Sequence, residues 1–158
     1  MAGRVCWDGF FMDQAKAYAE RSRDPSTKCG AVLVDPISKV VVSAGYNGFP
    51  RGVATLPSSR WERTEKLQRI VHAEVNCLLN AARQGVSTNG RVLYVCTSDP
   101  NFGLSCSNCA AAIIQAGVRQ EFVENFNCPD RWKGNVHLGL SMLGEAGVVV
   151  TQIQRVYD

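Results

Sequence analysis

Two short stretches hold the residues best suited to chemistry, "HAEVNC" at 72–77 and "CSNC" at 106–109. His72 offers an imidazole, Cys106 and Cys109 a pair of thiols, and Glu74 a carboxylate two places after the histidine. The set reads in two ways: as the polar first turns of amphipathic helices, or as the halves of a metal site. Zinc favours imidazole nitrogen and thiolate sulfur, and a catalytic zinc keeps three protein ligands with water in the fourth position. His72, Cys106 and Cys109 supply such a trio. Positions i and i+3 share a helix face, so both sulfurs would turn the same way. Each stretch opens a helical pattern, and two convergent helix N-termini favour thiolates and a bound hydroxide. Two thiolates and a neutral imidazole leave the zinc complex near zero charge, so its water can ionise near neutrality. As a ligand Glu74 would close the site; held beside the water it can take a proton and pass it on. That equipment suits hydrolysis of an amidine-like C–NH2 group on a heterocycle.

The elements that must carry these residues follow from pattern. "DGFFMDQAKAYAERS" (8–22) has a helical stripe of Phe11, Ala15, Tyr18 and Ala19, with Asp8 placed to cap it. "GAVLVD" and "KVVVSAG" are β-branched runs around Asp35-Pro36, predicting a β-hairpin. A long polar connection follows from Tyr46 to about Arg69. Three rounds of helix and strand complete the chain: "HAEVNCLLNAARQG" and "RVLYVCT", "CSNCAAAIIQAGV" and "QEFVEN", "NVHLGLSMLGEAG" and "VVVTQIQRV". Gly85 and Gly117 are the expected stops of the first two of these helices. This order implies a mixed central sheet with helices on both faces, folded as a single domain over residues 1–158.

Composition narrows the class. Hydrophobic residues at 46% and charged residues at 20% describe a globular chain. No apolar run is long enough for a membrane helix, and "MAGRVCWDGF" lacks a signal-peptide core. Seven cysteines without a secretion signal point to a reducing, cytoplasmic setting. Cys6, Cys29, Cys77, Cys96 and Cys128 read as small buried hydrophobes. A net charge of +3 is too mild to announce a nucleic-acid partner.

On these residues the chain resembles the zinc-dependent cytidine and deoxycytidylate deaminases, whose pattern is H-x-E followed by P-C-x-x-C. "SRDPSTKCGAVLVD", "GYNGFPRG" and "HAE" are similar to three consecutive blocks of the deoxycytidylate branch. "CSNCAAAIIQAGV", and "DRWKGN" through "LGEAGVVV", are similar to its C-terminal half. The resemblance implies a three-layer α/β/α sandwich around a mixed five-stranded sheet, with Zn2+ on His72, Cys106 and Cys109. It implies Glu74 as proton shuttle in converting dCMP to dUMP and ammonia, a supply of dUMP for thymidylate synthesis. Asn47 would meet the sugar hydroxyl. Gly45, Tyr46, Gly48 and Arg51 would face a dCTP or dTTP effector, accompanied by Mg2+. A homo-oligomer, commonly a hexamer, is implied as well. Arg23 and Ser26, with Lys28 behind them, are the expected phosphate contacts.

Two departures stand out. Ser105 occupies the place of the family's proline, where it could cap the helix. "CTSDPNFGLS", Cys96 to Ser105, is longer than the few residues usual between strand and first cysteine. It reads either as a surface bulge or as a segment through which Asp99, Asn101 or Phe102 reshapes the pocket for a 5-substituted dCMP or for dCTP. Arg60, Arg63, Lys66 and Arg69, interleaved with Glu62 and Glu65, read as a solvated helical face rather than a phosphate patch. His137 reads as a surface residue and Trp132 as packing. Deamination of a base within nucleic acid, and a non-catalytic module retaining structural zinc, stay as alternatives; Glu74 argues against the second.

Overall fold

The structure, a computed structural model, describes residues 3–157. α1 (Trp7–Ala19) leads into the hairpin β1 (Cys29–Val34) and β2 (Val41–Tyr46). α2 (Arg63–Arg69) precedes α3 (Ala73–Arg83), β3 (Val92–Thr97) and α4 (Ser107–Gln115). β4 (Gln120–Val123), α5 (Lys133–Glu145) and β5 (Val149–Gln152) close the chain. One sheet runs in the order β2-β1-β3-β4-β5. β1 is antiparallel to β2 and β3, whereas β3, β4 and β5 are mutually parallel. The expected three-layer sandwich with a mixed five-stranded sheet is what forms.

Strand periodicity divides the core. Ala31, Leu33, Leu93 and Val95 face Cys77 and Ala81 of α3, Ala110 and Ile113 of α4, and Leu143 of α5. Val32, Val34, Val92, Tyr94 and Cys96 face the other way, onto Phe11, Met12 and Ala15 of α1. Phe11 and Met12 are almost completely enclosed, and burying each contributes about 2 kcal/mol. One helix thus covers one face and three cover the other. Gly85 and Gly117 follow their helices with φ of 68° and 74°, as anticipated. α3 lies so close to β2 that a Cβ on Gly45 would fall 2.4 Å from the amide nitrogen of Cys77. Asn76 and Asn80 on α3 donate to the carbonyls of Tyr46 and Ala44, which satisfies this edge strand.

Several expectations need correction. Asp8 does not cap α1: the N-cap is Cys6, and Asp8 in the first turn accepts a hydrogen bond from the Tyr94 hydroxyl at 2.7 Å. The helix ends at Ala19, and the last strand spans only Val149–Gln152. The connection from Tyr46 to Arg69 contains α2, which carries Arg63, Lys66 and Arg69 of the expected helical face but leaves Arg60 outside it, and none of its residues is buried. Cys77 and Cys96 are buried as expected, whereas Cys6, Cys29 and Cys128 are only half-buried.

Candidate active site

α3 and α4 begin in the same manner. The N-cap of α3 is His72 (φ −71°, ψ 157°) and that of α4 is Cys106 (φ −72°, ψ 165°), and neither side chain caps its own helix. Extended backbone at both positions frees the side chains to turn toward each other. His72 Nδ1 lies 3.3 Å from Cys109 Sγ and 3.4 Å from Cys106 Sγ. The three ligand atoms all lie within 4.8 Å of one another. Zinc bond lengths of about 2.0 Å to nitrogen and 2.3 Å to sulfur place such atoms about 3.5 Å apart around a tetrahedral ion. The donor set and its spacing therefore fit Zn2+. Among the described residues no other group of His, Cys, Asp and Glu does.

The three groups bias one another's protonation through their hydrogen bonds. The Cys106 thiol is pulled down to about 4, first by the hydrogen bond from Cys109 and also by His72. Cys109, the donor in that bond and buried besides, is pushed up. His72 is raised to about 9, chiefly by its bond to Cys106. A bound cation would displace the protons on His72 and Cys109 and keep the imidazole and both thiolates as its ligands.

Glu74, in the first turn of α3, is buried but lines the same cavity as His72 and Cys106. It is not among the clustered ligand atoms. Its Oε1 accepts a hydrogen bond from the Ser105 hydroxyl at 2.8 Å. Ser105 is therefore not a helix cap: it immediately precedes Cys106 and points its hydroxyl at two carboxyl groups, those of Glu74 and Glu121. Glu121, on β4, is 1% exposed, and burial pushes its carboxyl up to about 8. Sequence reasoning missed Glu121 altogether.

The cavity above this floor measures about 440 Å3, ample for a nucleotide. Trp61, Phe102 and Trp132 line it together with the cations Arg63, Lys66 and Arg131. Phe102 stacks on Trp132 with centroids 5.9 Å apart, and Trp61 on Phe49 at 4.3 Å. Asp99, Phe102, Gly103 and Leu104 of the long segment all line the cavity, whereas Asn101 is exposed outside it. Trp132 is thus a wall of the site as well as packing. Lys66 is not solvated either: its ammonium reaches Asp24 Oδ1 at 3.1 Å, with only 12% of its side chain exposed.

Asn47 is buried in the cavity wall. Its Oδ1 accepts from the Cys29 amide at 2.7 Å, and its Nδ2 donates to the Thr27 carbonyl at 2.9 Å, which fixes the amide's orientation. Ser26 lines the cavity. Arg23 bonds Thr55 at the surface and is not among the lining residues, and Lys28 pairs with Glu20. Tyr46, Gly48 and Arg51 line a second cavity of about 360 Å3 with Asn80 and Arg83, while Gly45 is buried against α3. His137 is exposed, as expected.

Comparison with known proteins follows the same lines. Residues 5–124 match the cytidine and deoxycytidylate deaminase zinc-binding region. The chain is 38% identical over 124 residues to a probable deoxycytidylate deaminase of Drosophila melanogaster, covering 72% of this chain and 57% of that one. It therefore spans little more than half the length of that relative. It is 34% identical over 152 residues to an uncharacterized deaminase in the luxG 3′ region of Aliivibrio fischeri, covering 92% of each. The crystal structure of the cyanophage S-TIM5 dCMP deaminase in complex with dCMP and dUMP has a similar fold, with a TM-score of 0.70 at 24% identity over 92% of this chain and 95% of that one. The chain belongs to the cytidine and deoxycytidylate deaminase family.

Proposed function

We propose that this chain, acting as one domain, hydrolyses dCMP to dUMP and ammonia. The observation that carries the reading is Glu74 lying at the base of a nucleotide-sized cavity, beside a His-Cys-Cys trio but outside it. His72, Cys106 and Cys109 would hold zinc, which when bound supplies a water acidic enough to attack at neutral pH. In the reaction the attacking oxygen bonds C4 of the pyrimidine, and the C4–amine bond then breaks. Glu74 takes one proton from the water and gives it to N3, then passes the remaining proton of the added hydroxyl to the amine, which leaves as ammonia while C4 becomes a carbonyl. Trp61, Phe102 and Trp132 exclude water and flank the base, and Asn47 orients the sugar. Ser26, with the cations Arg63, Lys66 and Arg131, attracts the phosphate; Arg23 keeps the loop in place through Thr55.

Likeness to deoxycytidylate deaminases supports dCMP over nucleotides of other bases. The second cavity, with Tyr46, Gly48, Arg51 and Arg83, offers cationic groups to a triphosphate effector such as dCTP or dTTP with Mg2+. Exposed Leu79 beside it supplies apolar surface for another copy, in keeping with a homo-oligomer, a hexamer in our reading. All seven cysteines are free, in keeping with work in a reducing cytoplasm, and no helix among the described residues is long and apolar enough to cross a membrane. The test is ammonia release from dCMP, CMP, dCTP, deoxycytidine and adenine nucleotides by zinc-loaded protein. Turnover led by dCMP is the expected result; no release from any cytosine nucleotide would overturn the reading.

A further inference from the structure

Strand alternation turns Glu121 to the same face of β4 as Val123, toward the core under α4 and α5. In register it sits between Leu93 of β3 and Val150 of β5. An apolar side chain is the ordinary occupant of such a position. Among the described residues no cation pairs with Glu121, and its one side-chain hydrogen bond is the short contact with the Ser105 hydroxyl. Ser105, itself 4% exposed, bonds Glu74 Oε1 with the same oxygen. The three groups therefore form a chain from the sheet to the floor of the cavity.

The hydrogens in this chain can be counted. A serine hydroxyl has one hydrogen and here meets two carboxyl oxygens. Ionising both carboxyls would leave one bare oxygen pressed on another, so one acid must keep its proton. Glu121 is the deeper of the two, flanked by apolar side chains, with Glu74, Cys106 and Cys109 as the titratable groups facing it. Desolvation acts in the same direction. The protonated Glu121 then donates to Ser105 Oγ, and Ser105 donates to the Glu74 carboxylate. Proline, the family's residue at this position, has no hydroxyl and could make neither bond.

We propose that Ser105 and Glu121 are positioning residues for Glu74: the Glu121 carboxyl orients the Ser105 hydroxyl, which clamps Oε1 of Glu74 and holds its carboxylate beside the His72–Cys106–Cys109 trio. The role in turnover rests on the deaminase reading above. The hydrogen-bonded chain itself can be read without turnover.

The experiment uses zinc-loaded full-length protein. Ser105→Ala should lower kcat for dCMP about 10- to 100-fold with little change in KM, and Ser105→Thr, which restores a hydroxyl, should recover most of it. Because Ser105→Ala strands a buried acid, the double variant Ser105→Ala with Glu121→Leu removes both partners together. It should fold and still show the reduced kcat. Isotope-edited infrared spectra at neutral pH should contain a carboxylic-acid C=O band that persists in Glu74→Ala and vanishes in Glu121→Gln. If the wild type does not act on dCMP, the deaminase reading fails while the infrared band still tests the clamp. Full kcat in the double variant, or absence of the acid band from the wild type, overturns the proposal.

Discussion

Lys66 and Asp24 form a nearly enclosed ion pair, 3.1 Å between Nζ and Oδ1, that ties α2 to the loop before β1. Asp24 also accepts from the amides of Ser26 and Thr27, so this one carboxylate shapes the loop beside Asn47. Replacing Lys66 with alanine leaves an uncompensated charge with only 3% of its side chain exposed. Breaking such a pair from one side costs about 3 kcal/mol. Denaturant unfolding of Lys66→Ala should show a loss of that order; a loss under about 0.5 kcal/mol would place the pair with exposed surface pairs instead.

The buried acid makes stability depend on pH. Glu121 is raised from 4.5 to about 8, chiefly by burial, with Glu74 and Cys106 adding to the rise and the Ser105 bond opposing it. Below pH 4.5 both folded and unfolded chains hold the proton, and the group's contribution is fully present. As pH rises the unfolded chain releases its proton first, so stability falls until the folded carboxyl also ionises near pH 8. Glu121→Gln cannot ionise. Zinc-loaded wild type should therefore lose stability relative to Glu121→Gln between pH 5 and 8, measured by denaturant midpoints. Parallel profiles would contradict the assignment.

The long segment before Cys106 lines the cavity through Asp99 and Phe102, and Phe102 leans on Trp132. Its truncation should be felt by the substrate. Phe102→Ala, or excision of residues 99–103, should change the kcat/KM ratio of dCMP to a 5-substituted dCMP by about 10-fold. An unchanged ratio would return the segment to the role of a tolerated surface bulge.

Metal retention should follow the geometric trio. His72→Ala and Cys109→Ser should lose zinc on dialysis against a chelator at a concentration the wild type survives, whereas His137→Ala, altered at an exposed site, should keep it. Elemental analysis after dialysis checks this. Equal retention by all three variants would rule out the site.

What could be read from sequence, and what could not, divides along physical lines. The helix starts at His72 and Cys106 were legible because ligand types coincide there with the onset of apolar periodicity. α2 was legible as a helical face from its interleaved charges, but "RTEKLQR" buries no residue and so carries no apolar stripe to fix its ends. Nor could sequence tell that Lys66 turns inward while Arg23 stays at the surface, since Asp24, which draws Lys66 in, lies far away in the chain. Glu121 was hidden for a different reason. β4 is covered on both faces, so Phe122 and Val123 are adjacent and both apolar, and "QEFV" does not reveal which face Glu121 takes. Ser105 was visible as a departure from the family pattern, but its partners are brought together only by the sheet.

The central claim is that Glu74 moves protons without holding the metal. Glu74→Gln preserves size and a hydrogen-bonding group while removing the base. Zinc content and ammonia release from dCMP, measured on the same zinc-loaded Glu74→Gln sample, test the claim most directly. Zinc at the wild-type level with turnover reduced about 100- to 10,000-fold is the predicted result. Turnover at the wild-type rate, or loss of zinc along with activity, would contradict it.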